Sequence, residues 1–288
     1  MQFKSDFHIY LDLNNGSINE ILNYKEENKL DLVVTSPPCT QESEPDKSFF
    51  AYKTQHFMAK TGFGIFLISQ ITSLFYNKDE ELRKLFRLFI KSQLPYKKVL
   101  TPNNNISQLF FDGIKFWLWI NPKIPASVNE LSRIQQDSIF GLKLHASWHK
   151  LKLIDIQSIL SKYQSFKPIY LILPYDKREA QKILNFLILN DKYTFIIGYG
   201  GFPHTTMVCK TIDTATNLYV DVASFHISKS NLKKLLKVNK QKLLYATDWP
   251  YNFKQDGKFS PGKFDSRIAS LGINPNDLKL NYIKELDR

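Results

Sequence analysis

The feature that most narrows what this chain can become is an alternation. Short apolar runs recur along it, each ending in polar residues or a turn, and most are followed by an amphipathic stretch long enough for a helix. The runs fall at 7–13 (FHIYLDL), 30–35 (LDLVVT), 114–120 (IKFWLWI), 141–145 (GLKLH), 168–173 (PIYLIL), 193–198 (YTFIIG), 218–222 (LYVDV) and 243–246 (LLYA). Runs this short, rich in Ile, Val, Phe and Tyr and mostly without a polar face, read as strands covered on both sides, as in a parallel sheet. Helices are expected at 17–27, where Ser17 and Glu20 make a capping box, and at 80–94, 127–136, 154–163, 177–189 and 228–238. Parallel neighbours need a crossover between them, which the helices supply. Eight such units in 288 residues predict an α/β protein, a closed (β/α)8 barrel forming one domain over 1–288, with a doubly wound open sheet as the alternative. Residues 36–60 interrupt the pattern with Pro, Ser, Glu and Lys among Phe49, Phe50, Tyr52, His56 and Phe57. They are expected to be an extended loop insertion after the second strand, a lid over whatever the barrel binds.

Composition removes several function classes. A hydrophobic fraction of 43% supports a sizeable core and argues against disorder. The net charge of +12 comes from 39 Lys and Arg against 27 Asp and Glu, but arginine occurs only at Arg83, Arg87, Arg133, Arg178, Arg267 and Arg288. The lysines are scattered, which points to a compositional bias ahead of an anionic substrate or a nucleic-acid surface; the expected partner is a small anionic or carbonyl-containing substrate. Nucleic-acid contact is a third reading, to be recognised by salt-sensitive binding. Cys39 and Cys209 are too far apart in sequence to suggest a disulfide framework or a cysteine zinc site. Residues 1–16 carry Lys4, Asp6, His8 and Asp12 where a signal peptide would be apolar, and 62–76 is broken by Ser69, Gln70, Thr72 and Ser73. A cytoplasmic protein with no membrane partner is expected, and oligomerisation is left open.

The polar residues gather at strand ends. Of the 6 histidines, His8, His145, His149, His204 and His226 lie on or just after an expected strand, whereas His56 does not. Tyr10, Lys143, Tyr199, Asp221 and Asp248 do the same. In a parallel α/β sheet the carboxyl ends of the strands are where ligands bind, so these are candidate site residues rather than core. Lys143 alternates with Leu142 and Leu144 and shares its facing with His145; an inward lysine needs a carboxylate or a substrate anion. Asp221, among Tyr219, Val220 and Val222, has the plainer reading of an ion-pair partner for a neighbouring lysine.

Taken in order, these landmarks resemble the amidohydrolase superfamily, in the branch of amidohydrolase-related barrels that holds decarboxylases, lactonases and hydratases. The Asp-x-His-x-His element of the first strand is Asp6, His8 and Tyr10; Gly-x-Lys-x-His-Pro is Gly141, Lys143 and His145 with Ala146 for proline. Pro-x-x-x-His begins at Pro168 but has Ile172 at the histidine position, the Gly-His-x-Gly-Gly turn has Tyr199 for histidine, and the closing aspartate, aromatic and proline are Asp248, Trp249 and Pro250. The resemblance implies an amidohydrolase-like hydrolase or lyase acting on a small, carboxylated substrate by hydrolysis, lactone opening or decarboxylation. Asp248 would be general base or acid, Lys143 would hold the carboxylate, and His8 and His145 would orient groups or shuttle protons. Tyr10, Tyr199, His149 and Trp249 would bind substrate. Because Tyr10, Ile172 and Tyr199 replace three imidazoles, the site is expected to be degenerate and to need no cofactor. The alternative is a single divalent ion such as zinc held by His8, Asp248 and His145. A catalytically inactive barrel that binds a ligand or partner is the competing reading.

Overall fold

The computed structural model describes residues 4–10, 18–36, 40–41, 99–100, 111–223, 229–248, 254–255, 258–259 and 261–280. The helix expected at 80–94 and nearly all of the lid expected at 36–60 lie outside them. Eight parallel strands follow one another in space as in sequence: β1 (Ser5–Tyr10), β2 (Leu32–Ser36), β3 (Ile114–Trp119), β4 (Ile139–His145), β5 (Ile169–Ile172), β6 (Phe195–Ile197), β7 (Leu218–Asp221) and β8 (Leu243–Leu244). The sheet closes. Phe7 N–H donates to the Tyr245 carbonyl at 3.0 Å and Asp248 N–H to the His8 carbonyl at 2.8 Å, so the last strand is tied back to the first. An open doubly wound sheet would leave two unpaired edges; the (β/α)8 barrel leaves none.

Helices α1 (Ile18–Glu27), α2 (Pro125–Asn129), α3 (Ala146–His149), α4 (Leu153–Leu160), α5 (Lys177–Ile188), α6 (Thr205–Ile212), α7 (Lys229–Leu235), α8 (Pro261–Ala269) and α9 (Pro275–Lys279) pack outside the sheet. The helix expected at 127–136 is shorter: α2 stops at Asn129 and a 3-10 turn runs to Arg133. There the Ser132 hydroxyl donates to the Asn129 carbonyl at 3.0 Å, a side-chain bond that competes with the helical ladder. Helix α6 was not expected. Its Thr205, Val208, Thr211 and Ile212 are buried along one face, but the β-branched residues in TTMVCKTI hide that period behind strand propensity. Among the described residues no helix is long and apolar enough to cross a membrane.

The alternation of the strands sorts their side chains into two layers. Ile9, Val33, Phe116, Leu118, Leu142, Leu144, Ile169, Leu171, Phe195, Ile197 and Val220 pack between sheet and helices, while Phe7, Val34, Trp117, Tyr170, Ile172, Ile196, Tyr219 and Leu244 fill the barrel. Two one-residue bulges break this rule. In β1, Asp6 and Ile9 oppose Val33 and Thr35, so three steps on one strand match two on the next. Phe7 and His8 therefore both face inward, although they are adjacent. In β4 the shift lies between Ile139 and Gly141, and a Cβ on Gly141 would come within 2.1 Å of the Pro168 carbonyl oxygen and 2.8 Å of the Trp117 ring. Only glycine fits there.

Asp6 faces the other way and fastens the seam. Its carboxylate accepts from Tyr24 OH of α1 and from Thr247 Oγ1, both at 2.7 Å, and from the backbone N–H of Thr247 and of His8, both at 3.2 Å. Burial outweighs these bonds and raises its pKa from 3.8 to about 6. Folding thus favours the protonated acid. The associated stability is complete below the unfolded value and is lost as pH rises through the folded one, a change of roughly 3 kcal/mol at about 1.4 kcal/mol per unit. Asp6→Asn, which imitates the acid, should match the parent in urea melts near pH 4 and exceed it at pH 8 by up to that amount. Equal stabilities at pH 8 would show that the carboxylate is not strained by burial.

Candidate active site at the carboxyl ends of the strands

Strand ends deliver the polar side chains. Ser36, Trp119, His145 and Asp221 are the last residues of β2, β3, β4 and β7; Tyr199 and Asp248 follow β6 and β8; His8, Lys143 and Tyr170 lie within β1, β4 and β5. Lys143 is completely buried, at 0% exposure. Its ammonium donates to Ser36 Oγ at 2.8 Å, lies 3.0 Å from His8 Nε2 and sits 4.5 Å above the Trp119 ring, with Tyr170 at 5.5 Å. A buried ammonium is expensive to desolvate, and the hydroxyl, imidazole and ring faces offset that cost.

On the other side of His8, Nδ1 is 2.8 Å from Tyr170 OH, and that hydroxyl donates to Asp221 Oδ2. Asp221 Oδ1 accepts from the N–H of Ala223 at 3.2 Å and of Gly200 at 3.4 Å. The inward position leaves Asp221 with Tyr170 and His8 in place of the lysine expected from sequence. Burial raises its pKa to about 7 against these bonds. His8 Nδ1 also lies 3.7 Å from Asp221 and 3.9 Å from Asp248. These are not ion pairs, because burial, then Lys143 and His145, hold the His8 pKa well below 6.5 and keep the ring neutral.

Asp248 has a left-handed backbone, φ 59°, which an aspartate tolerates and which turns the carboxylate inward after the chain has left β8. Tyr199, at φ 55°, is a bulkier residue in the same region, and its hydroxyl approaches Asp248 Oδ1 at 3.4 Å. His145 stacks on Trp119 with ring centres 5.5 Å apart, and Ser147 Oγ lies 3.1 Å from its Nδ1. Burial, followed by Lys143 and His149, keeps that imidazole neutral as well.

Of the residues singled out in the sequence, His8, Lys143, His145, Tyr199 and Asp248 come together. His149 stands behind them, accepting the Trp119 indole N–H at 3.0 Å, with a pKa that burial and Lys123 lower to about 4. His204 Nε2 is bonded to the Pro174 carbonyl at 3.0 Å. The backbone of Tyr10 belongs to β1 but its side chain, Trp249, His226 and His56 lie outside the described residues. Tyr170 was missed, because in PIYLIL it is indistinguishable from a core aromatic.

Fold and site together define a (β/α)8 barrel with an ionisable cluster at the carboxyl ends of its strands. No protein-family model matches the sequence. No curated protein matches it either. Solved structures do resemble it: an amidohydrolase II, at TM-score 0.52 and 13% identity, covers 99% of this chain and 98% of its own. An amidohydrolase 2 from Bifidobacterium longum subsp. infantis follows at TM-score 0.49 and 11% identity, covering 98% of this chain and 97% of that one. The 2,6-dihydroxybenzoate decarboxylase from Rhizobium gives TM-score 0.47 and 13% identity, with coverage of 100% and 98%. The likeness to the amidohydrolase II is one of fold.

The divalent ion that the sequence resemblance implies does not fit the described residues around His8. The two His8 nitrogens meet Lys143 Nζ at 3.0 Å and Tyr170 OH at 2.8 Å, so a cation already stands against Nε2. Among the described residues, no three His, Cys, Asp or Glu side chains are grouped to hold a metal. Room for Tyr170 depends on Gly198, where a Cβ would fall 2.5 Å from the tyrosine oxygen and 2.7 Å from two ring carbons. Gly198→Ala should lower the urea midpoint, with an unchanged slope, by the equivalent of about 1–3 kcal/mol, the usual range for overpacking. An unaltered midpoint would contradict this packing of Tyr170.

Proposed function

We propose that this barrel is an amidohydrolase-like enzyme that holds a small carboxylated substrate against Lys143 and cleaves it by general acid–base chemistry, as hydrolysis, lactone opening or decarboxylation, without a resident metal ion. One observation carries the reading: a fully buried ammonium at the ligand-binding end of the barrel, with His8 at 3.0 Å and Asp248 3.9 Å beyond that imidazole. Away from water the ammonium attracts an anion far more strongly than a surface lysine does. His8 and His145 are neutral and able to accept a proton as charge develops. Asp248, turned inward and approached by Tyr199 OH, would act on water in a hydrolysis or ring opening. In a decarboxylation it would return a proton to the carbon that loses carbon dioxide. The fold likeness to amidohydrolase II is consistent with such chemistry but does not specify it.

The test is a screen of small esters, lactones and carboxylic acids with the parent protein, Asp248→Asn and Lys143→Met, after exhaustive dialysis against a chelator. Turnover by the dialysed parent is expected. Asp248→Asn should reduce kcat roughly 10²- to 10⁴-fold, the range for losing a general acid or base, and Lys143→Met should chiefly raise KM for carboxylates. Activity that vanishes on dialysis and returns with a divalent ion would overturn the metal-free reading. A carboxylate that raises Tm without being turned over would favour a binding protein instead.

A further inference from the structure

With Asp221 as the carboxylate, its form above a pKa of about 7, the hydrogen bonds inside the barrel have one self-consistent direction. Lys143 is a donor at every N–H, so the lone pair it meets must be on His8 Nε2. The ring is neutral, which puts its single proton on Nδ1. Tyr170 has one hydroxyl hydrogen and gives it to Asp221, so toward His8 it can only accept. Both ends of the line thus require the same tautomer. Reversing it would set two N–H groups against each other at Nε2 and leave the Asp221 oxygen without its hydroxyl donor.

We infer that Tyr170 and Asp221 are positioning residues that lock His8 in its Nδ1–H tautomer, so that Nε2 is kept as the acceptor beside Lys143. The groups around the imidazole are Lys143 and His145 from β4, Tyr170 from β5, Tyr199 after β6, Asp221 from β7 and Asp248 after β8. Tyr170 is placed to bond Nδ1, whereas Tyr199 meets the face of the ring with centres 5.4 Å apart and Asp248 stands 3.9 Å from Nδ1. What Nε2 does in turnover rests on the function proposed above. The tautomer itself does not.

The experiment reads the free protein and needs no substrate. Two-bond ¹H–¹⁵N correlation spectra of histidine-labelled protein distinguish the two tautomers, and His8→Gln assigns the signals. At pH 8.5, above the Asp221 pKa of about 7, the parent should show His8 protonated at Nδ1. Lys143→Met removes one of the two constraints, and the Nδ1–H pattern should persist because Tyr170 still accepts. Adding Tyr170→Phe should remove the second, so that His8 loses the Nδ1–H pattern and shows the Nε2–H form that histidine favours in water. A parent spectrum of the Nε2–H form or of imidazolium would overturn the inference without any variant, as would persistence of Nδ1–H in the double variant. Near-UV circular dichroism selects the folded variants for reading. Failure of the substrate screen would leave these spectra unchanged, so the two proposals fall separately.

Discussion

A positive charge enclosed by aromatic rings is the constraint to which the rest of this barrel answers. The Lys143 ammonium has lost its water, and each neighbour replaces part of what water supplied: Ser36 a hydroxyl, His8 a lone pair, Trp119 and Tyr170 their ring faces. The imidazole that receives the lysine is held from behind by a tyrosine, and the tyrosine by an aspartate. The line crosses the barrel from β4 to β7 and ends in a cation on one side and an acid on the other. Such networks are rigid when every member is satisfied and costly when one is removed.

Barrel closure and presentation of the acid are one piece of chemistry. Asp6 grips both the hydroxyl and the N–H of Thr247, while the next residue sends its own N–H to the His8 carbonyl. The peptide from Thr247 to Asp248 is thereby pinned to β1 at successive positions, and the left-handed turn at Asp248 points its side chain into the barrel. Helices α8 and α9 brace the same region from outside. Phe264 meets the Tyr245 ring edge-on, and Asp265 accepts from Tyr245 OH and Lys279 Nζ, both at 2.8 Å.

Much of this was legible in the sequence. All eight strands were visible as apolar runs because each is buried on both sides, and the two-residue period assigned Lys143 and His145 to one face. Asp248 stood out because a strand and a turn isolate it. The rest depends on partners that sequence spacing does not encode. Asp221 has the same facing as Tyr219, yet nothing in LYVDV says that it meets a tyrosine from β5 rather than a lysine. Tyr170 looks like any core aromatic until its hydroxyl is seen between two polar groups. Helix α6 was concealed by threonines, valine and isoleucine, whose local preference is overruled by packing against the sheet. The short helices after β8 lie beyond the last alternation, where the repeating pattern gives no guidance.

The bulge in β1 has a consequence for how this protein can change over generations. Regular pleating would send His8 toward the helices and hand its inward place to a neighbour, so the imidazole owes its location to a single surplus residue. Deleting one amino acid nearby would tidy the ladder and improve its pairing while rotating the histidine out of reach of Lys143. Lineages that drift toward a smoother strand would forfeit the polar line at one stroke, with the scaffold intact.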